Sequence, residues 1–108
     1  FAVGVGAQTG QVTYSNFNCN QLTCTISYNN NAGETIKTVF FLRDSNGRVV
    51  QIASDQNKPQ GLGTASITFL CIGTGTYTAT ASFYRNAETN YLNRLRLTEE
   101  ARTIQSSC

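Results

Sequence analysis

Histidine, tryptophan and methionine are missing from this chain of 108 residues, and proline occurs once. Without histidine, the commonest general base is lost, together with the Ser–His and Cys–His pairs that activate nucleophiles. Carboxylates are few, and only Asp55 and Glu88 are expected on neighbouring loops, where a glycosidase would need two such groups across a cleft. We therefore expect that the protein is not an enzyme, with a small hydrolase as the last alternative.

Patterns that hold a metal or a cofactor are missing as well. No D-x-D-x-D-G run is present, so Asp55 and Glu88 with nearby Asn carbonyls would offer at most a weak calcium site. Residues 73–75 (Gly-Thr-Gly) lie between two predicted strands, which favours a turn over a phosphate-binding loop. The cysteine spacings are not those of a zinc site, and no histidine is there to complete one. We expect no metal and no cofactor.

Charge and long apolar runs are scarce, which limits the expected partners. Charged residues make up 13% of the chain and the net charge is +2, too little for the clustered basic stripe of a nucleic-acid-binding protein. Arg94 and Arg96 come closest to a cluster, and as strand neighbours they would share one solvated face. No run approaches the ~20 apolar residues of a membrane helix. We expect neither a nucleic-acid partner nor a membrane span.

The cysteines of the chain are Cys19, Cys24, Cys71 and Cys108. An even number in a short chain rich in Thr and Asn predicts two disulfides and an oxidising compartment. Residues 1–6 (Phe-Ala-Val-Gly-Val-Gly) are apolar and lack a basic residue, so we interpret them as the start of a mature chain after removal of a signal peptide. An arbitrary start is the open alternative. The expected localisation is secreted and extracellular.

Apolar and polar residues alternate with a period of two along most of the chain, which is typical of half-buried β-strands. The predicted strands are residues 11–17, 22–28, 35–43, 48–54, 64–72, 76–84 and 92–97. Asn46 and Gly47 form a strong hairpin signal, residues 55–63 are expected to be a long polar loop, and residues 98–102 at most a helical turn. About seven short strands with regular turns indicate a single all-β sandwich domain over residues 1–108.

Residues 73–81 read Gly-Thr-Gly-Thr-Tyr-Thr-Ala-Thr-Ala. This stretch resembles the turn into strand F of immunoglobulin-like and fibronectin type III-like domains, where a tyrosine corner bonds the Tyr hydroxyl back to the preceding turn. The resemblance implies an immunoglobulin-like antiparallel β-sandwich in which Tyr77 forms this corner. The chain departs from antibody domains, because strand F offers Ala79 and Ala81 instead of a cysteine and Phe40 stands where strand C carries tryptophan.

If the strands are labelled A, B, C, C′, E, F and G, alternate connections fall at opposite ends of the sandwich. All cysteines then lie at the end that carries the A–B, C–C′ and E–F connections. We favour the pairing Cys19–Cys24 with Cys71–Cys108, because two cysteines that flank a four-residue turn can bring their Cβ atoms together. The pairing Cys24–Cys71 with Cys19–Cys108 stays open.

The opposite end collects three polar loops, and loops on a rigid sandwich are common binding sites. The residues there that could hydrogen-bond a sugar or grip a protein are Asn29, Asn30, Asn31, Asp55, Gln56, Asn57, Lys58, Asn86, Glu88, Asn90 and Tyr91. The alternative is that these loops are polar because they are solvated.

A second candidate surface is the C–F sheet face. If Ile36, Phe40 and Leu42 point into the core, then Val39 and Phe41 point outward beside Tyr84. An outward apolar group of this kind suits a homodimer or another protein partner. The alternative is that the tail, residues 98–108, covers it.

The favoured function is a secreted, non-enzymatic binding module that recognises a protein or carbohydrate ligand through the end loops or a sheet face. One alternative is a secreted effector, toxin or inhibitor that docks on a target protein, since small size, disulfides and a basic pI fit it equally well. Another is a structural subunit of a surface assembly in which residues 1–6 add as a strand to a neighbour.

Overall fold

Two antiparallel sheets make up the protein in the computed structural model, which describes residues 11–108. The three-stranded sheet has the order β1 (Val12–Asn20), β2 (Thr23–Asn30), β5 (Gly61–Thr68). The five-stranded sheet has the order β4 (Val49–Lys58), β3 (Ile36–Arg43), β6 (Gly75–Arg85), and the far edge of β6 pairs with β7 (Arg96–Leu97) and β8 (Arg102–Ser106). Within the described residues, no helix long and apolar enough to cross a membrane is present. The prediction of one all-β sandwich with two disulfides is confirmed.

Alternation along the strands places every second side chain between the two sheets. In β2, Cys24, Ile26 and Tyr28 are buried, whereas Thr25 and Ser27 between them are only half-buried on the outer side. The core side chains that are fully or almost fully buried are Val12, Phe17, Cys24, Ile26, Tyr28, Ile36, Phe40, Leu42, Ala65, Phe69, Ala79, Ala81, Phe83, Leu95 and Ile104. Removal of this apolar surface from water is the main stabilising contribution to the fold.

The strand order is consistent with an immunoglobulin-like sandwich. Strands A, B and E of the predicted layout correspond to β1, β2 and β5 in one sheet, and C′, C, F and G correspond to β4, β3, β6 and β8 in the other. Hydrogen bonds from side chains close the two open sides between the sheets. Asp55 Oδ2 accepts from the Ser66 amide at 2.9 Å on one side, and Arg102 Nε donates to the Phe17 carbonyl at 2.9 Å on the other.

The prediction of a long polar loop over residues 55–63 is wrong. Strand β4 continues to Lys58 and β5 begins at Gly61, so only Pro59 and Gln60 connect them. A glycine inside a strand often marks a place where another group approaches closely. Here Gly63 faces Tyr28 in the neighbouring strand, and the Tyr28 phenol fills the space that a Cβ atom would take.

The prediction for the last strand is also wrong. Residues 92–95 form a turn, in which the Asn93 amide donates to the Asn90 carbonyl at 3.0 Å, and only Arg96–Leu97 extend as a strand. The strand that fills position G is β8, within the tail for which at most a helical turn was predicted. Its alternation is hard to recognise because a polar residue, Ser106, occupies a buried position next to Ile104.

One end of the sandwich, called the cysteine end below, carries the β1–β2, β3–β4 and β5–β6 connections. The favoured pairing is confirmed, because disulfides join Cys19 to Cys24 and Cys71 to Cys108, with Cα–Cα distances of 4.0 and 5.9 Å. Cys19 and Cys24 are direct partners in the β1–β2 register. The Tyr77 hydroxyl donates to the Gly73 carbonyl at 3.2 Å, so the hydrogen bond expected of the tyrosine corner is present.

Candidate functional site

The opposite end, called the loop end below, is organised around Asn30, whose exposed fraction is 1%. Its Nδ2 donates to the Glu34 carbonyl at 2.8 Å and lies 3.4 and 3.3 Å from the carbonyl oxygens of Lys58 and Pro59. Its Oδ1 accepts from the Ala32 amide at 2.9 Å. Asn30 therefore joins the β2–β3 loop to the β4–β5 turn, and since its side chain is buried and engaged within the chain, its role as a ligand-binding residue stays a prediction.

Other predicted binding residues bond to each other. The Asn57 amide donates to Asn86 Oδ1 at 2.7 Å, and Asn86 Nδ2 donates back to Asn57 Oδ1 at 3.0 Å. Lys58 Nζ lies 2.9 Å from Asp55 Oδ2, which also accepts from the Ser66 amide. These contacts connect β4 with the β5 and β6 strands, so the four side chains stabilise the loop end.

The remaining predicted residues are spread over the surface. Glu88 Oε2 accepts from the Asn90 amide at 3.2 Å, and Asn90 Oδ1 accepts from the Leu92 amide at 3.0 Å. Asn31 and Gln56 are exposed, and Asn29 is half-buried on the outside of β2. Among residues 11–108, no three Cys, Asp or Glu side chains lie together in a way that could hold a metal ion.

The predicted C–F face exists, but it is covered. Val39 and Tyr84 lie on the outer side of the five-stranded sheet with exposed fractions of 0% and 1%, and Phe41 is half-buried. The cover is the segment from residue 86 to 101, which includes the first four residues of the tail; the Tyr91 ring centroid lies 5.0 Å from that of Tyr84 and 5.7 Å from that of Phe41. Val39 and Tyr84 thus point outward as predicted but are buried beneath this cover, and a homodimer through Val39, Phe41 and Tyr84 stays a prediction.

A groove of ≈ 560 Å³ remains between this cover and the sheet, and we call it the aromatic groove. Its lining residues are Phe41, Arg43, Thr80, Ser82, Tyr84, Tyr91, Arg94, Leu97, Thr98, Glu99, Glu100 and Ala101. Strands β3 and β6 form the floor, and the segment from Tyr91 to Ala101 forms the wall. Ile52 of the edge strand β4 is the register partner of Phe41 and is 47% exposed, so an apolar strip continues the floor toward β4.

Two arginines, Arg43 and Arg94, line this groove without carboxylate partners, and Lys37 lies nearby against the Tyr91 ring. Lys37 is 8% exposed, and its Nζ lies 5.8 Å from the Tyr91 ring centroid. Arg94 Nε is buried without a hydrogen-bond partner, and Arg43 Nη1 donates only to Thr80 Oγ1, at 3.0 Å. Within residues 11–108, no carboxylate oxygen lies within 4.0 Å of these three cations. An unpaired buried charge is costly, so these groups favour an added anion.

The wall near β8 is acidic. Glu100 Oε1 pairs with Arg102 Nη2 at 2.9 Å, which draws this carboxylate toward the edge of the sandwich. The Glu99 amide donates to the Tyr14 hydroxyl at 3.0 Å, and its exposed carboxylate has no cation within 4.0 Å in the described part of the chain. The groove therefore carries Arg94 toward the loop end, Arg43, the register partner of Thr78, toward the cysteine end, and two carboxylates on its wall.

Tyr84 ties the floor of the groove to its wall. Its hydroxyl donates to the Tyr91 carbonyl at 3.0 Å. Burial raises the pKa of the Tyr84 phenol above its ordinary value of 10.0, and the nearby Ser82 hydroxyl and Arg94 guanidinium offset only part of that rise. The phenol is thus a stable donor at neutral pH, and Arg94 is placed beside it. Arg96 lies elsewhere, 5.1 Å from the Tyr14 ring centroid, so the two arginines do not share a face.

The outer side of the three-stranded sheet, called the neutral face below, has a different chemistry. Its outward residues in the strand register are Thr13, Ser15, Asn18, Asn20, Thr23, Thr25, Ser27, Asn29, Leu62, Thr64, Ser66 and Thr68. None of these side chains is charged or aromatic. Residues that anchor protein interfaces are aromatic side chains and arginine, so the aromatic groove is the better candidate site.

The chain shows no match to any protein-family model, curated protein or solved structure. Sequence reasoning found only part of the groove. Tyr91, Phe41 and Tyr84 were singled out, but Tyr91 was assigned to the loop end and Arg94 to a solvated strand. No sequence pattern predicts how the segment after β6 folds back, because its turn at residues 90–95 lacks the alternation of a strand.

Proposed function

We propose that the chain is a secreted, non-enzymatic binding module with an immunoglobulin-like fold, and that it holds a protein ligand in the aromatic groove. The observation that carries this proposal is the combination of Phe41, Tyr84 and Tyr91 with two lining arginines, Arg43 and Arg94, that have no carboxylate partner in residues 11–108. Aromatic side chains and arginine supply most of the binding energy in protein interfaces.

The loop end is a weaker candidate for the ligand site. Asn30, Asn57 and Asn86 already use their amide groups in bonds within the chain, so a ligand would have to displace those bonds. The floor of the groove is formed by β3 and β6, which pair along their whole length. A site on paired strands holds its side chains in place before the ligand arrives, which lowers the entropy lost on binding.

Several observations support the other parts of the proposal. Asp55 and Glu88, the carboxylates considered for catalysis, are engaged with Lys58 and with the Asn90 amide. Two disulfides suit an oxidising, extracellular compartment. The strand order and the Tyr77–Gly73 hydrogen bond support the immunoglobulin-like family.

A pair of matched variants tests the proposed site. Ala101 is exposed and lines the groove, whereas Ala87 is exposed on the β6–β7 connection and does not. Peptide ligands are first selected from a random display library on the intact wild-type domain. Their Kd values are then measured by isothermal titration calorimetry on the wild type, on Ala101→Trp, whose indole fills the groove, and on the control Ala87→Trp.

We expect Ala101→Trp to weaken the selected ligands at least tenfold, while Ala87→Trp changes Kd less than twofold. Far-ultraviolet circular dichroism and the Tm of both variants show whether the fold is kept. Ligands that bind Ala101→Trp as tightly as the wild type would overturn the proposal, and so would a library that yields no ligand at all. A glycan array on the same proteins tests the carbohydrate alternative, and binding there that resists Ala101→Trp would also contradict it.

A further inference from the structure

We infer that the ligand of the aromatic groove is an acidic peptide segment with bulky apolar neighbours, and that its carboxylate binds Arg94. This inference rests on the proposed function and adds the chemical class of the ligand.

Arg94 is the cation best placed to take the carboxylate. Its Nε is buried without a hydrogen-bond partner, its guanidinium lies beside the Tyr84 phenol, and no carboxylate among residues 11–108 lies within 4.0 Å of it. By contrast, Arg48, Arg85 and Arg102 each pair with a carboxylate within 4.0 Å. A planar guanidinium presents two parallel N–H groups to a carboxylate, and such charge-assisted pairs are about twice as strong as neutral hydrogen bonds.

Lys37 reinforces the same end of the groove. It is the register partner of Tyr84, and its ammonium group lies over the Tyr91 ring with no anion beside it. Tyr84, whose hydroxyl donates to the Tyr91 carbonyl, stands between the two cations. An anion bound here would reduce the cost of keeping two positive groups in a partly desolvated place.

The floor beyond the cations is apolar, which favours a peptide over a sugar. Phe41 is half-buried, and its register partner Ile52 and the neighbouring Val50 are 47% and 41% exposed. Each apolar side chain that is laid on this strip removes surface from water at about 25 cal/mol per Å². Peptide side chains supply large groups of this kind, whereas the apolar surface of a sulfated or uronic-acid glycan is limited to the C–H faces of its rings.

The acidic wall excludes a uniformly charged ligand. Glu99 and Glu100 line the groove near β8, and the Glu99 carboxylate has no partner cation in the described residues. A polyanion that ran the length of the groove would meet these like charges. A peptide that places a carboxylate at Arg94 and neutral residues beside Glu99 and Glu100 avoids this repulsion.

The test uses synthetic peptides on the intact, disulfide-bonded domain. One panel of fluorescein-labelled 12-residue peptides alternates Glu or Asp with Leu, Ile or Phe in its first half and has neutral residues in its second half. A matched panel carries Gln and Asn at the acidic positions, and a sulfated heparin hexasaccharide is the glycan probe. Kd is measured by fluorescence anisotropy on the wild type, on Arg94→Gln and on the control Arg48→Gln, whose guanidinium lies in the β3–β4 turn and is 77% exposed.

We expect the tightest acidic peptides to bind at least tenfold more tightly than their amide versions. Arg94→Gln weakens them about tenfold or more, and Arg48→Gln less than twofold. Replacement of Glu99 by Gln tightens the binding of a peptide that is acidic along its whole length, because it removes a like charge from the wall. If Arg94 had only a structural role, this tightening would not be expected. Raised ionic strength weakens the wild-type complex more than the Arg94→Gln complex.

The inference is overturned if the amide panel binds as well as the acidic one, if Arg94→Gln leaves Kd unchanged, or if the hexasaccharide binds more tightly than every peptide. These failures are distinct from failure of the proposed function. Neutral ligands that lose affinity with Ala101→Trp would keep the groove as the binding site and would contradict only the inference that the ligand is acidic. Ligands indifferent to Ala101→Trp would remove both.

Discussion

The two ends of the sandwich are fastened by different chemistry. At the cysteine end, two covalent bridges and the Tyr77–Gly73 hydrogen bond hold the connections between strands. At the loop end, side-chain amides hold the connections instead, since Asn30 forms hydrogen bonds with two connections and Asn57 pairs with Asn86. Both arrangements limit the motion of surface loops, but only the covalent one survives when the chain unfolds.

This difference shows how polar residues in loops are best interpreted. An asparagine in a loop is compatible with a ligand contact, with solvation and with a structural clamp, and the sequence does not separate these roles. At the loop end, the clamp is the observed role for the most buried of them, Asn30. The aromatic groove on the five-stranded sheet, by contrast, remains open to a ligand.

The strongest test of the comparison removes the bridge with the longer loop. Cys71→Ser with Cys108→Ser opens a disulfide whose cysteines are 37 residues apart, and chain entropy predicts a loss of about 4 kcal/mol in the free energy of unfolding. Removal of Cys19–Cys24, with a separation of 5, predicts a loss of about 2 kcal/mol. Urea unfolding followed by circular dichroism measures both. A larger loss for the short bridge would contradict the entropic explanation.

The amide clamp is expected to have the next largest effect. Asn30→Ala removes a buried side chain and leaves the Glu34 carbonyl and the Ala32 amide without their partner, so we expect a loss of about 2 to 3 kcal/mol in the free energy of unfolding. The control is Asn31→Ala at an exposed position, with a change within about 0.5 kcal/mol. If the two variants had equal stability, the prediction that Asn30 stabilises the loop end would be wrong.

A third prediction concerns the non-covalent bond at the cysteine end. Tyr77→Phe removes only the hydroxyl that donates to the Gly73 carbonyl, so a loss of about 1 kcal/mol is expected. The same substitution in the variant that lacks Cys71–Cys108 sharpens the comparison, because a double-mutant cycle measures whether bridge and hydrogen bond are coupled. A coupling energy near zero, together with no loss in either background, would show that the corner bond does not contribute to stability.

The smallest expected effect is a loss of stability at alkaline pH, caused by the two tyrosines nearest the loop end. Burial raises the pKa of Tyr28 and of Tyr84 above 10.0, with Lys58 opposing the rise at Tyr28. The folded chain keeps these protons where the unfolded chain loses them, so this stability is present below pH 10.0 and is lost as pH rises through the folded pKa. Unfolding measured at rising pH on the wild type, Tyr28→Phe and Tyr84→Phe checks this. Equal slopes in all three would contradict it.

The sequence predicted most of the fold because period-two alternation is strong in this chain. Cys24, Ile26 and Tyr28 face the core as expected, and the cysteines lie together as the alternation of connections requires. The preferred disulfide pairing followed from the short turn between Cys19 and Cys24. Strand β8 escaped prediction because its buried residues include the polar Ser106, which weakens the apolar alternation.

The candidate site was less accessible to sequence reasoning. Its floor was predicted from the outward phase of β3 and β6, which gave Phe41 and Tyr84. Its wall depends on how the segment after β6 turns back, and the contacts that fix this turn are long-range, such as the Leu95 amide to the Phe83 carbonyl at 2.7 Å. That no carboxylate among residues 11–108 pairs with Arg94 is likewise a result of long-range folding, and no local spacing of residues predicts it.

The bridge between Cys71 and Cys108 has a mechanical consequence. It joins the β5–β6 connection directly to the residue that follows β8, so β6 and β8 lie inside a covalently closed loop. A pulling force applied at Cys108 therefore passes through sulfur to the β5 side of the molecule, and the pairing of β6 with β8 carries none of that load. In a force-extension experiment the residues between the two cysteines would add no length until the bridge is reduced.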